Sequence, residues 1–177
     1  MVHAQKILIK QFKLRYFFKL FKFIYITNKD KEIIKYYQYF YKSKHTFLFM
    51  VIKLFYIVFL FSFKTIGKIL FKRYLVIFIV CHEHNIIGLA HIEFNGSQGY
   101  HNGLLGIVLI RHIFGMGVGR KLLESCIDYC AKKNKTKIEL DVFADNTRAI
   151  SLYRKVGFIY TKTTNTENIE YHMELNL

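Results

Sequence analysis

Three glycines in five residues, Gly115-Met116-Gly117-Val118-Gly119, separate an apolar run of strand length (Leu104–Ile110) from the start of a helical pattern. Glycine lets a backbone come close to a ligand and enter the left-handed region. The first N–H groups of a helix have no partner within the helix and sit at the positive end of its dipole. A strand, a glycine elbow and a helix start in that order therefore make a holder for phosphate or pyrophosphate.

Other residue types with chemical capability are less ordered. His82, His84, His91, Glu93 and His101 invite a metal reading. They lack both the i, i+4 spacing and the thiolate company of a strong site, so no metal is expected and turn histidines on the surface are the ordinary reading. Cys81, Cys126 and Cys130 make an odd count without metal-type spacing, which points to a reduced, cytoplasmic setting. Cys126 and Cys130 share one apolar helical face with Val118 and Leu122, where thiols are expected to be buried and inert.

The elements that must position the loop are clearest after residue 74. Tyr74–Cys81 and Ile86–Phe94 read as a hairpin around a polar turn. Lys137–Phe143 alternates Ile138, Leu140 and Val142 against Glu139, Asp141 and Phe143, a half-buried strand. Asp145-Asn146 offers an N-cap to a helix over Thr147–Val156, and Gly157 closes it. Strands at Phe158–Thr163 and Ile169–Leu175 complete an α/β chain of α+β type, with a mixed sheet and helices packed on it.

The 177 residues suit one domain of ordinary size. Nearly all of the formal charge of +15 lies in residues 1–80, which hold 16 of the 27 Lys and Arg but only Asp30 and Glu32 of the 12 acids. The basicity therefore says nothing about the glycine loop, and no nucleic-acid partner is expected. Met1–Phe23 repeats lysine among Ile, Leu and Phe, as a half-buried helix or strand or an amphipathic surface helix would. Asn28–Lys44 reads as a turn and a helical stretch. Thr46–Phe63 has 18 residues with only Lys53 charged, barely the length of a membrane span. The central lysine costs about 2.5–3.5 kcal/mol on insertion scales, so membrane association is allowed but a buried segment is preferred.

The glycines could also serve a purely structural turn; if they hold a phosphate ligand, their neighbours narrow which one. A nucleotide P-loop needs Lys-Ser or Lys-Thr after the last glycine, and here Gly119 is followed by Arg120-Lys121-Leu122. A dinucleotide fold needs its glycines directly at the strand end; Arg111–Phe114 intervene, and Arg120 stands where the third glycine belongs. Instead, Phe114 to Gly119 resembles the pyrophosphate loop of the GCN5-related N-acetyltransferases (GNAT), Arg/Gln-x-x-Gly-x-Gly/Ala. Leu140-Asp141-Val142 and Asn146-Thr147-Arg148-Ala149 through Tyr153 and Gly157-Phe158 resemble the family's second signature. The resemblance covers about residues 74–177, while residues 1–73 form an atypical basic, aromatic-rich segment.

The resemblance implies a GNAT-like acyl-CoA N-acyltransferase fold with acetyl-CoA as co-substrate and no metal. It implies that Ile107, Val108 and Leu109 hold the pantetheine arm, that Gly115, Met116, Gly117, Val118, Gly119 and Arg120 cradle the pyrophosphate, and that Asn146 lies beside the arm. Tyr153 would be the general acid, or else a plain core tyrosine; Asp141 would be the base, or else an exposed strand aspartate. Glu93 and His101 are weaker candidates for the base. Phe114 departs from the family's Arg or Gln, with Arg120 as a compensating cation. The implied acceptor is a primary amine on a small molecule, protein or peptide, and a homodimer is allowed. The alternatives are a catalytically impaired, CoA-binding remnant with a disrupted N-terminus, and a membrane-anchored relative.

Overall fold

The computed structural model describes residues 7–27, 30–31, 33, 73–95, 101–165 and 168–177. Thr46–Phe63 and most of Asn28–Lys44 lie outside them. No helix among the described residues is long and apolar enough to cross a membrane.

The apolar runs on both sides of His82–Asn85 become the long hairpin β2 (Arg73–His82) and β3 (Asn85–Asn95), turning through Glu83 at φ 52°. Their near-continuous hydrophobicity follows from burial on both faces. Val76, Phe78, Val80, Ala90, Ile92 and Phe94 join one cluster, whereas Ile79, Cys81, Ile86 and Leu89 join another. The first strand, β1 (Leu8–Gln11), pairs antiparallel with β2. After it α1 (Phe17–Thr27) buries Leu20 and Phe23 on the second cluster. Residues 8–27 carry no family-like motif, yet they extend and cover the same sheet.

β4 (Asn102–Leu109) continues the sheet antiparallel to β3. A short 3-10 turn (Arg111–Ile113) and the glycine loop lead into α2 (Val118–Lys132). This helix turns Val118, Leu122, Leu123, Cys126 and Cys130 into the first cluster. Both helix thiols are fully buried, as expected, and burial pushes Cys130 up to about 11 and Cys126 higher still. β5 (Lys137–Phe143) runs parallel to β4. Then come α3 (Thr147–Val156), β6 (Ile159–Asn165) and β7 (Ile169–Asn176). The seven strands lie in the order β1-β2-β3-β4-β5-β7-β6, mixed as the sequence predicted, with α2 and α3 on one face and α1 on the other.

Local signals account for the sharp ends of α3. Asn146 Oδ1 accepts from the Ala149 N–H at 3.2 Å, filling one of the orphan donors of the first turn. Gly157 ends the helix at φ 106°, in the left-handed region. The segment after α1 is tied to the far end of β4. Arg111 grips Asp30 with two hydrogen bonds, of 2.7 and 2.9 Å, across 81 residues of chain.

Candidate active site

Beyond Leu104 and Glu139 the two parallel strands part. Among the described residues, β4 runs on to Leu109 paired only with β3, and β5 runs on to Phe143 paired only with β7. The Ile110 N–H donates to the Ile87 carbonyl at 3.1 Å, which sets the alternation along β4. Val108 thus turns its backbone polar groups to Leu89 of β3, while Ile107 and Leu109 turn theirs toward the gap. Of the three residues expected to hold a ligand by their backbone, two present their groups and Val108 does not.

The gap is a cleft of about 510 Å³, large enough for a cofactor-sized ligand. Gly115, Gly117, Gly119, Arg120 and Asn146 line it, as do Asp141 and Tyr153. Met116 stands outside, and Val118 is buried in the core, so its contribution is its backbone alone. Glu93 and His101 are also absent from the lining, His101 standing just before β4.

The loop has the geometry of an anion cradle. Gly115 and Gly117 sit at φ +78° and +74°, and a Cβ at either would meet nothing within 4 Å. The Lys121 N–H is the first in α2 with a main-chain acceptor, Gly117 O at 3.2 Å, so those of Val118, Gly119 and Arg120 point past the helix end. No side chain caps this end and no acid stands in its first turn, where Arg120 and Lys121 add positive charge. Among the described residues no cap or first-turn acid offsets the dipole.

Phe114 lines the cleft together with Arg120 and Arg148. Arg120 reaches the cleft wall but pairs with Glu124 at 2.8 Å. Arg148, which the sequence did not single out, also lines the cleft and holds its guanidinium 4.3 Å above the Phe114 ring. The aromatic residue thus seats a cation beside the loop.

Two titratable groups stand on opposite sides of the split sheet. Tyr153 on α3 packs against the first cluster and Phe158, and burial pushes its phenol up to about 12. Its hydroxyl has no hydrogen-bond partner among the described residues. Asp141 alternates against Leu140 and Val142 and so faces the α1 side. There it meets His172 of β7, Nδ1 to Oδ1 at 2.7 Å.

His91, grouped above with the turn histidines, is buried in the sheet at 5% exposure and lines the cleft. It lies opposite Gly106, where a Cβ would clash with the imidazole, and burial lowers its pKa to about 4. A strand alternation places His91 on the Asp141 face, but only the β3–β4 register puts a glycine under it. Glu139, His172 and Glu174 form a cluster with metal-compatible spacing. Lys137 already occupies it, 2.7 Å from Glu139 and 3.1 Å from Glu174.

The Acetyltransferase (GNAT) family matches residues 48–158, well over half of the chain. The chain belongs to the GNAT family. The match begins inside the apolar segment 46–63, earlier than the sequence motifs. A mycothiol acetyltransferase from Renibacterium salmoninarum is 41% identical over 63 residues, covering 30% of this chain and 19% of that protein. The chain thus spans about a fifth of that relative's length. The ribosomal-protein-S5-alanine acetyltransferase of Vibrio fischeri shares the fold at TM-score 0.71 and 16% identity, covering 95% of this chain and 91% of that one. Spermidine N-acetyltransferase from Vibrio cholerae, solved with CoA and spermine, aligns at TM-score 0.68 and 18% identity, covering 96% and 95%. The residues of this GNAT chain fit coenzyme A on their own geometry: open glycine amides at one end of the cleft and an unpaired strand edge along it.

Proposed function

We propose that the chain is an acetyl-CoA-dependent N-acetyltransferase acting on a primary amine. The observation that carries the reading is the parting of β4 and β5 beyond Leu104 and Glu139, with the glycine loop, Tyr153 and Asp141 all on the gap. Acetyl-CoA supplies an activated acyl thioester. The open amides of Val118, Gly119 and Arg120 would hold its pyrophosphate, and the outward backbone of Ile107 and Leu109 its pantetheine arm. The Leu109 N–H is the donor for the thioester oxygen, where charge develops. Asn146 uses Oδ1 as a helix cap, so its amide N–H groups are what it can offer the arm.

Asp141 takes the proton that the amine must lose, through water because the carboxylate is short. Tyr153 keeps its proton at neutral pH, since its phenol is raised to about 12, and gives it to the departing sulfur. The two sides of the sheet divide the work. The donor enters past the α2–α3 side, and the amine approaches from the α1 side, where Asp141 and Glu170 favour a cationic acceptor. The relatives that act on spermidine and on ribosomal-protein alanine support an amine acceptor of either kind.

Titration calorimetry with acetyl-CoA and thiol release on a panel of polyamines and peptide N-termini test the reading. Tyr153→Phe should keep acetyl-CoA affinity and lower kcat by about 10²-fold. An equally active variant removes Tyr153 from the mechanism, and no binding at millimolar acetyl-CoA sinks the function. Binding without turnover of any amine identifies the impaired remnant instead.

A further inference from the structure

Asp141 is a short side chain on a partly open strand face, and an unheld carboxylate there would sample several rotamers. Among the described residues one holds it. His172, directly across on β7, places Nδ1 2.7 Å from Asp141 Oδ1. A contact that short between an imidazole nitrogen and a carboxylate needs a hydrogen on the nitrogen, so Nδ1 donates and Oδ1 accepts. His172 is itself fixed, its side chain only 12% exposed and Nε2 3.4 Å from Glu174 Oε1. Lys137 holds Glu174 at 3.1 Å and Glu139 at 2.7 Å, and Asn102 donates to Glu139 at 3.1 Å. The network therefore runs from the cleft along one sheet face through β5, β7 and back to β4. Oδ2 of Asp141 is left as the oxygen without a partner among the described residues.

We infer that His172 is a positioning residue that fixes Asp141 with one oxygen engaged and the other presented to the acceptor amine. The inference rests on the acetyltransfer reading with Asp141 as the base. Its physical basis is that a base displaced by about 1 Å loses on the order of 10²-fold in rate.

The test uses the full chain with the wild type, His172→Leu, His172→Asn, His172→Gln and Asp141→Asn. The readouts are kcat, KM for the amine and acetyl-CoA affinity by calorimetry. His172→Leu should lower kcat by about 10- to 10²-fold with acetyl-CoA affinity unchanged. The groups facing His172 are Asp141, Glu139 and Lys137 from β5, Glu170 and Glu174 on its own strand, and Lys162 across on β6; they remain in every variant but Asp141→Asn. His172→Asn puts an amide N–H near the position of Nδ1 and should restore most of the rate. His172→Gln carries its amide further out, toward Glu174, and should not. On an Asp141→Asn background the His172→Leu cost should vanish.

A His172→Leu variant with kcat within twofold of wild type overturns the inference. So does an equal loss on the Asp141→Asn background. A fully active Asp141→Asn removes the base and this role together, while failure of the wild type to bind acetyl-CoA overturns the functional reading itself. Should His172→Leu fold poorly, the contrast between the Asn and Gln variants decides alone, equal rates in the two being the refuting result.

Discussion

The loop glycines separate the backbone's cost to folding from its work on a ligand. Gly117 caps α2 at φ +74°, and an added Cβ would touch nothing. The only folding cost of Gly117→Ala is the left-handed backbone, about 1–2 kcal/mol. The stiffer unfolded chain offsets about 0.4–1 kcal/mol of it, leaving a loss near 1 kcal/mol. Gly119 differs. It has an ordinary φ within α2, and its Cβ would meet Leu152 Cδ2 at 3.2 Å and Leu109 Cδ1 at 3.3 Å, both ends of flexible side chains. There alanine gains about 0.5–1 kcal/mol of helix propensity against a small squeeze, so Gly119→Ala should lie within about 0.5 kcal/mol of wild type. Ligand binding should part the two variants further. A methyl on Gly117 enters the open space in front of the helix amides and should weaken coenzyme A at least tenfold, about 1.4 kcal/mol. Gly119→Ala should stay within threefold. Urea unfolding gives the first pair of numbers and titration calorimetry with coenzyme A the second. Wild-type affinity in Gly117→Ala, or equal losses in both variants, would refute the placing of the anion over the loop amides.

Two further outcomes follow from groups that the cleft walls perturb. His91 has a folded-state pKa lowered from 6.5 to about 4, so its neutral form stabilises the fold above pH 6.5 and that contribution is lost as pH falls toward 4. The full shift corresponds to roughly 3 kcal/mol as an upper bound. The urea midpoint of wild type should drop over this window by more than that of His91→Gln, and parallel curves would show that His91 is not held neutral. Arg148→Ala removes the cation seated on Phe114 and should weaken coenzyme A severalfold, more than Arg120→Ala, whose side chain is already paired with Glu124. Calorimetry ranks the two, and the reverse order would return the compensating role to Arg120.

The parts of the fold legible in the chain are those whose signals lie within a few residues of one another. Asn146 and Gly157 bracket a ten-residue helix because cap geometry is local. The alternation over Lys137–Phe143 predicts the bounds of β5 and the burial of Ile138, Leu140 and Val142, while Phe143 on the other face is buried as well. The glycine loop is equally readable, since left-handed backbone at Gly115 and Gly117 selects for the absence of a side chain.

Contacts between strands were not readable in this way. Periodicity says which face a residue takes but not which strand lies beside it. His172 reaches Asp141 only because β7 inserts between β5 and β6, and His91 finds its space only because the β3–β4 register sets Gly106 opposite. Arg148 falls over Phe114 because α3 returns beside the loop that starts α2. The same limit governs the site as a whole. The sequence alone determined that a glycine loop leading into a helix, a strand carboxylate and a helix phenol occur in order, because strand, loop and helix signals are local. That the three face one gap was decided by the tertiary structure, where β4 and β5 stop pairing after Leu104 and Glu139 and leave a strand edge open.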